Sequence, residues 1–107
     1  MFIQGEIREV IHGAETGAPV YYVVILSDTR FNEGLTPFVI AAPITARGYG
    51  APLHVAITPP PELGESAYVL IEALGRIEKA SLGRAVGVVL PADYRKIEAN
   101  LDILLHH

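Results

Sequence analysis

No cysteine occurs among the 107 residues, which excludes a disulfide framework, a thiolate zinc site and a cysteine nucleophile together. A basic surplus is lacking too: 8 Lys and Arg stand against 12 Asp and Glu, a formal net charge of −4. That argues against bulk electrostatic attraction of nucleic acid, although a local basic patch can still grip phosphates. No apolar run approaches the ~20 residues that span a bilayer; the longest is Val20–Leu26. The opening Met1–Glu6 has neither the basic segment nor the long apolar segment of a secretory signal. A cytoplasmic protein with no membrane partner is therefore expected. A phosphate-cradling glycine loop, a nucleophile elbow and histidines or carboxylates at metal spacing are also missing. Gly48 and Gly50 do not make a nucleotide fingerprint without a following helix. The expectation is no metal and no cofactor.

What is present is a large apolar share, 50% of residues, enough for one core in one domain over 1–107. Phe2–Ile11 mixes apolar and polar residues as a half-exposed strand would. Val20–Leu26 reads as a strand covered on both faces, because β-branched residues lose χ1 freedom in helices. Ser27–Gly34 is turn-forming. Phe38–Ile44 is a further strand, in which Pro43 predicts a bulge or an edge. Leu53–Ile57, Ala67–Ile71, a short segment at Leu74–Ile77, and Ala85–Leu90 complete the β-rich pattern. Pro59–Pro61 is a stiff spacer. After Leu90 the period changes to that of a helix. Pro91 suits its first position and Asp93 the positive end of its dipole, with an apolar stripe of Tyr94, Ile97, Leu101, Leu104 and Leu105. His106 and His107 trail beyond it and are compatible with a tag. The chain is thus expected to be mainly β, a small barrel closed by a C-terminal α-helix.

The order of these segments resembles the MazF/PemK family of toxin–antitoxin toxins along nearly the whole chain. Gly5-Glu6-Ile7 is similar to the family's start. Val23–Ser27 followed by Phe31-Asn32 is similar to its apolar strand and Phe-Asn turn. Val39-Ile40-Ala41-Ala42-Pro43-Ile44-Thr45 is the most specific match, and Leu82-Gly83-Arg84 through Gly87 resembles the closing strand. The resemblance implies an SH3-like barrel, a homodimer, an antitoxin partner and cleavage of single-stranded RNA without a metal. The related CcdB family shares the fold but acts on a protein target, so fold does not settle function. Two departures stand out. The family's Arg-Pro before the apolar strand reads Tyr21-Tyr22, which removes a phosphate-stabilising cation. Its Asp-Gln-Ile/Leu-Arg element reads Glu72-Ala73-Leu74-Gly75.

Metal-free RNA cleavage needs a base for the 2′-hydroxyl, an acid for the leaving oxygen and stabilisation of the phosphorane. Glu72 is the candidate base and His12 the candidate acid, since imidazole titrates near neutrality. Thr45 is a hydroxyl donor, and Arg47 a replacement for the missing arginine. Arg30, His54, Tyr21 and Arg76 are candidate RNA contacts. Each also has a plain structural reading: a strand-end carboxylate, a loop histidine, a threonine capping a turn, solvated turn arginines, a half-exposed strand histidine, a core tyrosine. Two functions follow from the resemblance: an endoribonuclease, or a catalytically impaired toxin-fold binder acting through an antitoxin or a CcdB-like protein target. The cluster Arg76, Lys79 and Arg84 suits an acidic peptide partner.

Overall fold

The computed structural model describes residues 1–11, 19–47 and 53–105. Seven strands, β1 (Glu6–Ile11), β2 (Pro19–Ile25), β3 (Phe38–Thr45), β4 (His54–Ile57), β5 (Ala67–Leu70), β6 (Gly75–Glu78) and β7 (Leu82–Val88), make one antiparallel sheet. Their order is β4-β5-β3-β2-β1-β7, with β6 also pairing β3. A short helix, α1 (Thr29–Asn32), precedes β3, and the long helix α2 (Pro91–Leu105) closes the chain. The mainly β architecture with a C-terminal helix is as the sequence patterning leads one to expect.

β3 is the hub. It pairs with β2 on one side through Tyr22↔Ile44 to Ile25↔Ala41. On the other side it pairs with β6 from Phe38 to Ala41 and with β5 at Ile44 and Thr45. Pro43 therefore lies inside a central strand without a break in the β2 register, not at an edge or a bulge. The reason is local: Pro43 falls in the gap where the second partner changes from β6 to β5, so its missing N–H has no ladder bond to make.

Alternation along β2 divides the apolar residues between two faces. Tyr22, Val24 and Leu26 join the main core with Ile7, Val55, Val69, Ile71 and Ile97, and Tyr21 and Val23 join a second cluster with Val10 and Ala41. Both faces of β2 are covered, and Val23, Val24 and Ile25 are fully buried.

β1 begins at Glu6, later than the expected Phe2, because Gly5 adopts φ 88° and turns the chain. The Gly5 amide donates to the Ile25 carbonyl at 2.8 Å, and its carbonyl accepts from the Val89 amide at 2.8 Å. The turn-like Ser27–Gly34 segment contains α1, capped by Asp28, whose carboxylate accepts from the Arg30 amide at 2.8 Å. Asn32 is buried and its amide nitrogen donates to the Phe2 and Ser27 carbonyls, both at 3.0 Å. The last strand spans Leu82–Val88 rather than 85–90. In α2, Ile97 is buried and Tyr94, Leu101 and Leu104 pack on the core as the stripe predicts, but Leu105 is exposed. Asp93 does more than face the dipole: it is buried and accepts from the Thr58 amide at 2.8 Å, which ties α2 to the end of β4.

Candidate functional site

The surface pocket that holds a candidate residue lies over the end of β3. It encloses about 210 Å³, with Tyr22, Ile44 and Leu63 as apolar wall and Thr45, Glu62 and Ser66 as polar groups. β2 and β3 place Tyr22 and Ile44 side by side in register. The turn Pro61–Leu63, a single turn of 3₁₀ helix following the proline spacer, brings in Glu62 and Leu63. Ser66 donates to the Ala46 carbonyl at 2.9 Å and pins the rim. The Thr45 hydroxyl oxygen accepts from the Arg47 amide at 3.3 Å, so its own proton is left to donate. Arg47 itself is exposed beside the pocket mouth.

A second wall of charge stands behind Glu62. Arg84 on β7 donates from Nε to Glu9 Oε1 at 3.1 Å, and its Nη1 is 3.9 Å from Glu62 Oε2. Glu9 is a buried carboxylate on β1, directly opposite Tyr22 in the β1–β2 register. Gly83 makes this possible, because a Cβ there would meet Ile11 Cδ1 at 2.6 Å and Glu9 Oε2 at 2.9 Å.

The other candidates fall elsewhere. Glu72 follows the end of β5, on the turn Ile71–Ala73, and meets His54 Nε2 at 2.8 Å. The His54 side chain is 6% exposed and the Glu72 side chain 41%. Burial would push the Glu72 carboxyl up, but the His54 hydrogen bond, a backbone N–H and the histidine charge together hold it below its ordinary value. Thr45 pairs with Tyr68, so Glu72 stands roughly 10 Å further along the chain from that pair. The structure brings Glu72 and His54 together and does not bring Glu72 to Thr45.

Arg30 lies on α1, 92% exposed at its side chain and 3.5 Å from Asp28. Arg76 on β6 stacks over Phe38 at 4.8 Å, and Phe38 in turn meets Phe31 with ring centroids 6.1 Å apart. This group sits at the start of β3, the opposite end from Thr45. Tyr21 packs on the second apolar cluster; of the two tyrosines it is Tyr22 that lines the pocket. His12 lies outside the described residues. The sequence-level cluster of Arg76, Lys79 and Arg84 is dispersed: Lys79 reaches the Gly34 carbonyl, Arg76 covers Phe38 and Arg84 pairs with Glu9. Alternation puts Tyr21 and Tyr22 on opposite faces without saying which meets the pocket, and Glu62 and Ser66 were not legible as pocket residues, since the proline spacer and the turn after it carry no mark of the strand end they fold against.

A family model described as PemK-like, MazF-like toxin of type II toxin–antitoxin system matches residues 4–105. No curated protein matches the sequence. Among solved structures, an endoribonuclease in complex with its cognate antitoxin from a mycobacterial species is 27% identical, with a TM-score of 0.78 over 96% of this chain and 93% of that one. An endoribonuclease from a mycobacterial species is 25% identical, with a TM-score of 0.77 over 96% and 89%. A MazE–MazF complex from Deinococcus radiodurans, at 24% identity and a TM-score of 0.76 over 98% and 96%, shares the fold.

Proposed function

This chain belongs to the PemK-like, MazF-like toxins of type II toxin–antitoxin systems, and from that membership we propose that it is an endoribonuclease cleaving single-stranded RNA without a metal. It acts in the cytoplasm as a homodimer and is held in check by an antitoxin protein. Two structural relatives, at 25% and 27% identity, are endoribonucleases, one of them in complex with its cognate antitoxin. The observation that carries the reading is the pocket over Thr45, where a hydroxyl free to donate, a carboxylate and a tyrosine ring line one small concavity. Its size suits one base or one phosphate group rather than a cofactor.

Thr45 donates to a phosphate oxygen, and Arg47 at the mouth supplies positive charge to the strand. The Tyr22 ring offers a stacking face. For Glu72 the geometry favours a structural pairing with His54 over direct proton abstraction at this pocket. Arg30 and Arg76, with Phe31 and Phe38, touch a longer strand at a distance from the cleaved bond.

The test is direct. Pure protein incubated with mixed-sequence single-stranded RNA in EDTA is expected to give discrete fragments, and Thr45→Ala to lower their rate. Intact RNA, or cleavage only with added magnesium, overturns the reading. In the first case a toxin-fold binder acting through a protein remains.

A further inference from the structure

We propose that Glu62 and Arg84 are the base and the phosphate-binding cation of this site, so that an arginine on β7 stands in for the one absent from β2. The inference rests on the endoribonuclease reading and names the residues that perform it. Three features of the structure carry it.

First, Arg84 is anchored but not used up. Its Nε is held by the buried Glu9 carboxylate at 3.1 Å, which fixes the plane of the guanidinium. Its Nη1 is 3.9 Å from Glu62, too far for a hydrogen bond. The outer edge of the guanidinium, the part that grips an oxyanion with two parallel N–H groups, has no closer partner among the described residues. Arg8 makes the contrast: it gives Nε to Glu6 at 2.7 Å, Nη1 to the Gly83 carbonyl and Nη2 to the Met1 carbonyl, both at 2.8 Å. Arg8 is structural; Arg84 has donors to spare.

Second, Glu62 stands between Arg84 and the pocket. It lines the same concavity as Thr45 and Tyr22, and Tyr22 is opposite Glu9 across the strands. Glu62 is thus the link between the pocket that holds Thr45 and Tyr22 and the Arg84–Glu9 pair beside it.

Third, the charges there fit a proton acceptor. Glu9, Arg84 and Glu62 together carry one net negative charge when both carboxyls are ionised. Of the groups that line the pocket, Glu62 is the carboxylate that can accept a proton from a 2′-hydroxyl. The step balances as follows. The 2′-hydroxyl gives its proton to Glu62 as its oxygen attacks phosphorus. The bond from phosphorus to the 5′-oxygen breaks, that oxygen takes a proton from a water molecule, and a 2′,3′-cyclic phosphate is left; protonated Glu62 then gives its proton to the hydroxide so formed, which restores the carboxylate. In the dianionic phosphorane that precedes this cleavage, Glu62 carries the proton and the outer nitrogens of Arg84 face the phosphorane alongside the Thr45 hydroxyl.

Single-turnover cleavage in EDTA and binding of a 2′-O-methyl RNA oligomer, which cannot react, test this together. Glu62→Gln is expected to slow cleavage ~10²-fold or more while binding the oligomer at least as tightly as wild type. Arg84→Ala is expected to slow cleavage and also to weaken the oligomer about tenfold, and Arg84→Lys to restore binding better than cleavage. Arg95→Ala, on the exposed face of α2, is expected to change neither. Thermal melts confirm that the variants fold. If wild type cleaves and Glu62→Gln cleaves as fast, or if only Glu72→Gln is inactive, the inference is overturned and the endoribonuclease reading stands. If wild type leaves RNA intact, that reading and the role of Glu62 both fall. Unchanged oligomer affinity in Arg84→Ala removes the role of Arg84 in either event.

Discussion

Glu72 and His54 hold each other across the end of the β4–β5 pair, where His54 stands opposite Leu70. The folded carboxyl lies below its ordinary value of 4.5, since the histidine contacts outweigh the cost of burial. A depressed carboxylate contributes stability above its unfolded pKa, and that contribution is lost as pH falls through the lower folded value. Because Glu72 is well exposed, solvent screening keeps the contribution small. A carbon-13 NMR titration of the Glu72 carboxyl is expected to show a midpoint below 4.5 that rises in His54→Ala; an unmoved midpoint would mean that the pairing does not exist in solution. Strand alternation leads one to expect a half-exposed His54, whereas its side chain is only 6% exposed, and its partner, eighteen positions away, depends on the β4–β5 register, which no local pattern encodes. Thr45 was singled out because it ends the stretch most like the family's, and it lines the pocket. Glu62 was not, because a carboxylate after three prolines reads as spacer until the chain is folded.

At the scale of elements, α2 decides how firmly the sheet is covered. Its stripe was readable from the 3.6-residue period, and Ile97 is fully buried among the residues of the main core. Ile103, six residues on and on another face of the helix, is 67% exposed. Ile97→Ala is expected to cost about 2–5 kcal/mol and Ile103→Ala less than about 0.5 kcal/mol. Equilibrium urea unfolding measures both, and equal losses would place the helix face wrongly. The boundaries were less legible for physical reasons. The glycine turn at Gly5 shortens β1, and the Asp28 cap draws four residues of an apparent turn into α1. Pro43 misleads because the rule against proline in central strands assumes one continuous neighbour on each side, and β3 has two on one side.

The whole molecule is acidic, and this sets how it meets an RNA strand. Each chain carries a formal charge of −4, so long-range steering opposes the encounter. Cationic help has to come from a few side chains acting at contact, and the ones proposed for the Thr45 site are Arg47 and Arg84. Added salt therefore acts in two opposite ways. Screening of the net repulsion raises the association rate, while competition with local phosphate contacts raises the dissociation rate faster. For single strands the logarithm of affinity falls with the logarithm of salt by ~0.7 for each phosphate neutralised, which gives a slope of about −1.4 for two contacts. Binding of a 2′-O-methyl RNA oligomer, followed by stopped-flow fluorescence between low and moderate salt, is expected to show that shallow slope. The association rate should hold steady or climb as salt is added. A steep slope with an association rate that collapses in salt would mean that a broad basic face, rather than two arginines at one pocket, captures the strand.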